Sequence, residues 1–180
     1  ASFDNTFGGP NRAPKFMMPN TISYLLRKAK QSKDTGLLQY VTTTLNKMAY
    51  GGIYDHIGGG FSRYSVDKKW HVPHFEKMLY DNAQMVSLYS NAYLATKDNL
   101  YKEVVTQTLA FVARECTNSE GAFYSSFDAD SLTQDGVLEE GAYYVFTKEE
   151  LTKELEEDFE LFSTYYNINS FGLWENNHYV

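Results

Sequence analysis

The stretch Gly51–Asn82, GGIYDHIGGGFSRYSVDKKWHVPHFEKMLYDN, holds three of the chain's four histidines, five glycines and a mixture of carboxylates, bases and aromatic rings. Pro73 suits the first position of a helix, where its missing N–H costs nothing. On that reading Val72 caps a helix running to about Lys97, His74 and Glu76 fall in its first turn, and His71 lies just outside. Helical spacing aligns His74, Lys77, Met78, Asp81 and Met85 along one side and sets Glu76 and Tyr80 one turn apart on the neighbouring strip. Titratable groups thus converge at a helix N-terminus behind a glycine-rich connector.

Working outward, the same helix-and-connector pattern recurs. MPNTISYLLRKAKQSK places Ile22, Leu25, Leu26 and Ala29 at helical spacing behind Pro19 and ends in bases that suit a helix C-terminus. DTGLLQYVTTTLNKMAYGG carries Leu38, Val41, Leu45 and Met48 on one face and stops at Gly51 and Gly52. Leu100–Cys116 gives a further helix, and a charged helix starts near Thr147. The connectors share glycine-rich openings, and the first two share an x-Pro-basic-Phe close (APKF, VPHF), a weak internal repeat. Helix, turn, helix and long connector in repetition is the signature of stacked or ring-closed helical hairpins. The third connector has two aromatic runs, AFYSSF and AYYVF, around a Gly and Asp loop, which predict a β-hairpin.

At 180 residues and 43% hydrophobic, with 12 Phe and 15 Tyr, the chain can bury a real core. A net charge of -7 without a basic stripe excludes a phosphate-backbone partner, because nucleic-acid binding relies on clustered Lys and Arg. No apolar run approaches the roughly 20 residues of a membrane span, and ASFDNTFGG has no signal-peptide pattern. The expectation is a soluble, cytoplasmic protein. Cys116, alone of its type, permits neither an internal disulfide nor a Cys-based zinc site. Disulfide exchange needs a resolving partner, so no such activity is expected.

The long central run, preceded by FGGPNRAPKF and followed by FYSSFDADS, EGAYYVFTKEEL and GLWE, resembles the helical part of the spermatogenesis-associated protein 20-like family of thioredoxin-domain-containing proteins. The resemblance implies a mainly α fold: an (α/α) toroid like that of N-acylglucosamine 2-epimerases and six-hairpin glycosidases, here a partial toroid with a small β-hairpin insertion. It also implies that residues 1–180 form one domain, about half of a ring, without the thioredoxin-like module that precedes the toroid in the family. In such a ring the helix N-termini and their connectors line a central funnel suited to polyhydroxylated ligands.

Each candidate has a structural alternative. The glycines of GGGF serve either tight packing between connectors or close approach of a ligand. Asp55, His56, Arg63 and Tyr64 suit either a site or a buried network that orders the loop. His71 and His74 stand at a metal-like interval without a third ligand, so no metal and no cofactor are assigned. Lys77 and Asp81 could be an ordinary helix-surface pair. Trp70 and Tyr80 suit the apolar face of a sugar ring, or the core. Asp128 and Asp130 in DADS suit a sugar hydroxyl, a cation or a turn. Cys116, in a last helical turn, reads as structural.

Two function classes follow. A carbohydrate or polyol site would use His56, His71 and His74 as acid and base with Asp55 and Glu76, and Arg63, Trp70, Tyr80, Asp81, Asp128 and Asp130 as ligand contacts. Epimerisation fits the histidines, and glycoside hydrolysis would instead need two carboxylates roughly 5 to 10 Å apart. The other class is a non-catalytic platform for a thioredoxin-like module or a protein client. The site reading expects Asp55, His56, Arg63, His71, His74, Glu76 and Asp81 to cluster. The half-ring reading expects exposed flanks, self-association and little turnover.

Overall fold

The helical periodicities become two hairpins, α1 (Pro19–Ser32) with α2 (Thr35–Ala49) and α3 (Leu79–Thr96) with α4 (Asn99–Glu115). The structure is a computed structural model describing residues 3–133 and 135–180, and it divides into two compact units, one running through Asp128 and one from Ala129 to Val180. Both hairpins turn on a Lys-Asp pair. Lys33 and Lys97 take the left-handed conformation that ends a helix, and the carboxylates of Asp34 and Asp98 accept N–H groups at the start of the next. α1 packs on α2 and on α3, and α3 packs on α4. Ile22, Leu26, Val41, Leu45, Met48, Met85 and Leu88 close over one core with Ile53, Phe61 and Trp70 from the connectors. A fully buried Leu of this kind contributes about 2–3 kcal/mol.

The connectors follow a rule that the helices alone do not reveal. Each begins with a short bridge, Phe3↔Pro10, Tyr54↔Phe61 and Thr117↔Phe123. In the first, the strand β1 (Lys15–Phe16) then leads into α1. In the second come β2 (Tyr64–Ser65), β3 (Pro73–His74) and β4 (Lys77–Met78), which leads into α3. The third starts with β5 (Ser126–Phe127). The strand before each hairpin pairs antiparallel with the first strand of the following connector: β1 with β2, and β4 with β5.

The second unit continues this order with β6 (Asp130–Leu132), β7 (Leu138–Glu140), β8 (Phe146–Thr147), α5 (Lys148–Leu155), α6 (Phe159–Tyr165) and β9 (His178–Tyr179). β8 leads into α5 and pairs with β9. Thr147 and Glu150 form a reciprocal capping box at the expected helix start. Leu151, Phe159 and Ile168 make a small core.

Two expectations are corrected. α3 begins at Leu79, six residues after Pro73, because Val72–Met78 runs as extended chain with Phe75 and Lys77 buried and His74, Glu76 and Met78 half-buried. Pro73 lies on β3, the edge of the sheet β1-β2-β3, where a strand tolerates a residue without an N–H. The hairpin of the third connector forms, but from β6 and β7 between the aromatic runs. The runs themselves supply β5 and β8, each of which pairs with a strand distant in sequence. Among the described residues no helix is long and apolar enough to cross a membrane.

Candidate active site

The interval between Gly60 and Lys77 folds as a hairpin because Asp67 organises its turn. The Asp67 carboxylate accepts the backbone N–H groups of Lys69, His71 and Val72, the last at 2.6 Å. Trp70 takes φ 67° and is fully buried, its indole N–H donating to the Phe7 carbonyl at 2.8 Å. It therefore anchors the hairpin in the core, a correction to its expected place against a sugar ring. His71 is half-buried beside the Asp67 turn.

Strand alternation decides which side chains reach the outside. Register pairs Lys15 with Ser65 and Ser65 with Pro73, and all three are buried. The other face carries the cross-strand neighbours Phe16, Tyr64 and His74, at least partly exposed, with ring centroids 4.8 and 4.9 Å apart along the row. Beyond His74 the same side continues to Glu76. His74 Nε2 lies 3.6 Å from Glu76 Oε2, and an Arg63 guanidinium nitrogen donates to that oxygen at 3.2 Å. The Arg63 backbone N–H also bonds the Glu76 carbonyl, which ties β2 to the chain entering β4.

The first turn of α3 brings Tyr80, exposed, and Asp81 to this group. Burial pushes the Asp81 carboxyl up to about 6, opposed by Arg63 and reinforced by the charge of Glu76. Its Oδ2 is buried and has no hydrogen-bond partner among the described residues. The result is a protonatable carboxyl beside a carboxylate held by an arginine, a separation of acid and base by environment.

Asp55 belongs to a second cluster on the inward side. Lys77, nearly fully buried, donates to Asp55 Oδ2 at 2.7 Å and to the Gly59 carbonyl at 2.9 Å, with its ammonium 4.5 Å from the Phe111 ring centroid. Burial raises the Asp55 carboxyl, but the Lys77 ammonium and the N–H groups of Gly58 and Ile57 outweigh it and hold the group below its ordinary range. Lys77 therefore pairs with Asp55 and not with Asp81. The His56 ring meets the Gly51 carbonyl at 3.1 Å and stands edge-on to Tyr54; burial lowers its pKa and the Gly51 carbonyl opposes this. Of the seven residues expected together, Arg63, His74, Glu76 and Asp81 share one group. Asp55 lies with Lys77, His56 with Tyr54 and Gly51, and His71 at the Asp67 turn. Asp128 closes the first unit, and Asp130 pairs in register with Glu140 in the second. The stacking of Tyr64 on His74 and the pairing of Lys77 with Asp55 are contacts that helical spacing did not foresee. The burial of residues 74–78 alternates as a strand's does, but the sequence HFEKM does not show it, because the charged Lys77 takes an inward position.

Known proteins bear on this arrangement. Human spermatogenesis-associated protein 20 is 44% identical over 160 residues, covering 86% of this chain and 20% of the relative, and the mouse protein is 42% identical over the same coverage. The chain is similar to one segment of spermatogenesis-associated protein 20. It spans about a fifth of the length of these proteins. An uncharacterized Caenorhabditis elegans protein is 35% identical over 190 residues, 96% of this chain and 26% of the relative. No family model matches. Among solved structures, cellobiose 2-epimerase from Bacillus thermoamylovorans B4167 superposes with a TM-score of 0.61 at 16% identity, over 97% of this chain and 52% of that one. A D-mannose isomerase superposes at 0.50 and 22% identity, over 61% and 28%. These likenesses establish the fold: the segment shared with spermatogenesis-associated protein 20 is a mainly α, partial toroid of helical hairpins.

Proposed function

We propose that the outward group of Arg63, His74, Glu76, Tyr80 and Asp81 is the acid–base wall of a carbohydrate site that moves a proton at the carbon next to a sugar carbonyl. The observation that carries this reading is Asp81, a carboxyl raised to about 6 with a buried, unpartnered oxygen, beside a Glu76 bonded to Arg63. Glu76 removes the C2 proton of an open-chain aldose. The C–H electron pair becomes the C1–C2 double bond, and the carbonyl oxygen takes its proton from Asp81 to give the enediol. Arg63 stabilises the negative charge that develops on that oxygen. As C2 takes a proton on its other face, the O1 hydroxyl returns its proton to Asp81 and the aldehyde of the epimer re-forms; protonation at C1 with loss of the O2 proton gives the ketose instead. Tyr80 offers its ring to the apolar face of the sugar. The two fold neighbours are a cellobiose 2-epimerase and a D-mannose isomerase, which supports a reading of this kind. A purely structural platform has no use for a buried carboxyl oxygen left without a partner in the first turn of α3, which favours the catalytic reading.

The test is exchange of the C2 proton of reducing aldoses such as mannose and cellobiose in D2O, followed by NMR. Deuterium at C2 that disappears in Glu76→Gln and Asp81→Asn is the expected result. Exchange that persists in both variants, or aldoses that neither bind nor exchange, would overturn the proposal.

A further inference from the structure

The stack Phe16–Tyr64–His74 has a feature that a sugar platform would lack. Tyr64 faces His74 nearly parallel, at 18° and 4.9 Å, and faces Phe16 at 31° and 4.8 Å. Both faces of the tyrosine ring are thus covered by neighbours on β3 and β1, and neither is left for a ligand. The three rings are direct cross-strand partners, so the contact is fixed by the register of the sheet. The stack is one constraint on the imidazole. Its last torsion, between an sp³ and an sp² carbon, is broad, and no rotamer well fixes the plane of the ring. In the plane that the stack imposes, Nε2 points to Glu76 Oε2 at 3.6 Å, on the oxygen that Arg63 also holds.

We infer that Tyr64 is a positioning residue: with Phe16 behind it, it sets the plane of His74 so that the imidazole Nε2–H is aimed at Glu76. The consequence for chemistry rests on the acid–base reading above, while the orientation itself does not. His74 held in this plane shares the charge of the Glu76 carboxylate with Arg63 and keeps Glu76 oriented as a base. The tyrosine hydroxyl has no part in this, because the contact is made by the ring.

Long-range nitrogen–proton NMR of His74 in the whole chain, compared among wild type, Tyr64→Phe, Tyr64→Leu and Phe16→Ala, tests the inference. The wild type and Tyr64→Phe are expected to show one set of His74 ring signals with the proton on Nε2. In Tyr64→Leu the His74 signals shift toward averaging between tautomers, and Phe16→Ala produces a smaller shift of the same sign. C2 exchange in Tyr64→Leu is expected to fall on the order of tenfold or more, since misplacing a catalytic neighbour is costly even without contact to the substrate. Unchanged His74 signals in Tyr64→Leu overturn the inference, and so does a Tyr64→Phe variant as impaired as Tyr64→Leu, which would make the hydroxyl the active group. If the wild type shows no C2 exchange, the proposed reaction fails, and the ring signals still decide the positioning claim. Should Tyr64→Leu unfold, Phe16→Ala carries the same comparison, since Phe16 lies at the half-exposed outer end of the row.

Discussion

The Asp4 loop and the Asp55 loop of the first unit are built to one plan. In each, the aspartate accepts the N–H groups two and three residues ahead, and its own N–H bonds the carbonyl of a left-handed glycine, Gly9 or Gly60. A buried lysine on the strand before the next helix then closes on that aspartate. Lys15 meets Asp4 at 2.9 Å, the Lys68 carbonyl and the Trp70 ring; Lys77 meets Asp55 at 2.7 Å, the Gly59 carbonyl and the Phe111 ring. What separates them is the chain between glycine and lysine, Pro10–Pro14 in one and Phe61–Glu76 in the other. Arg63, Tyr64, His71, His74 and Glu76 all lie in the longer interval. The clasp is scaffold; most of the candidate group lies in the longer interval between its two halves, and Tyr80 and Asp81 follow it on α3.

The comparison is broken most directly at the lysines. Lys77→Met leaves the Asp55 carboxylate without its cation, and Lys15→Met does the same to Asp4. Each is expected to cost about 3–5 kcal/mol in urea unfolding, because removing one partner of a buried pair strands the other. A loss below about 1 kcal/mol in one and not the other would mean that the two clasps are not equivalent. Next come the glycines. A Cβ on Gly60 would lie 2.5 Å from the Phe111 ring and one on Gly9 would lie 2.7 Å from the Trp70 ring, both at positive φ. Gly60→Ala and Gly9→Ala should each lose about 2–4 kcal/mol, from backbone strain together with overpacking.

Titration sharpens the contrast between the clasps and the candidate group. Asp4 and Asp55 are held below the ordinary carboxylate range, Asp4 by its N–H partners and Lys15 against the effect of burial. They contribute stability above pH 3.8 that is lost as pH falls through their folded values. Asp81 has the opposite sign. Its contribution is complete below pH 3.8 and is lost as pH rises through about 6. Asp81→Asn should therefore remove a decline of about 1–2 kcal/mol between pH 4 and 7, after allowance for partial exposure. Unfolding free energies at the two ends of that window check the sign. The smallest effect is expected from Phe16→Ala, below about 1 kcal/mol of stability, since it removes one cross-strand ring contact at a half-exposed position.

The hairpins were legible because their cores repeat at helical period and their ends carry chain-terminating signals: Pro19 opens α1, and Thr147 with Glu150 opens α5. The site was legible in composition and not in geometry. Pro73 carries a helix-start signal that local sequence cannot distinguish from an edge-strand proline, and the choice is made by β2, which pairs with Pro73–His74 from the other arm of the hairpin. That one displacement moved Lys77 from a helix face to a buried strand position and so exchanged Asp81 for Asp55 as its partner. Trp70 misled for a related reason. Aromatic residues near a cluster of charges read as ligand contacts, whereas this one is drawn inward by the Phe7 carbonyl, more than sixty residues away in sequence.

The asymmetry between the two clasped loops also has an entropic side. Closing a loop about three times longer costs only about 1 kcal/mol more, because closure entropy grows with the logarithm of length. A scaffold whose lysine, aspartate and glycine already fix both ends can therefore accept new chain between them at little expense to folding, and can lose it again as easily. Descendants of such a fold are free to diverge in chemistry at Phe61–Glu76 while Asp55, Gly60 and Lys77 stay where they are, much as a graft depends on the stock and leaves it unaltered.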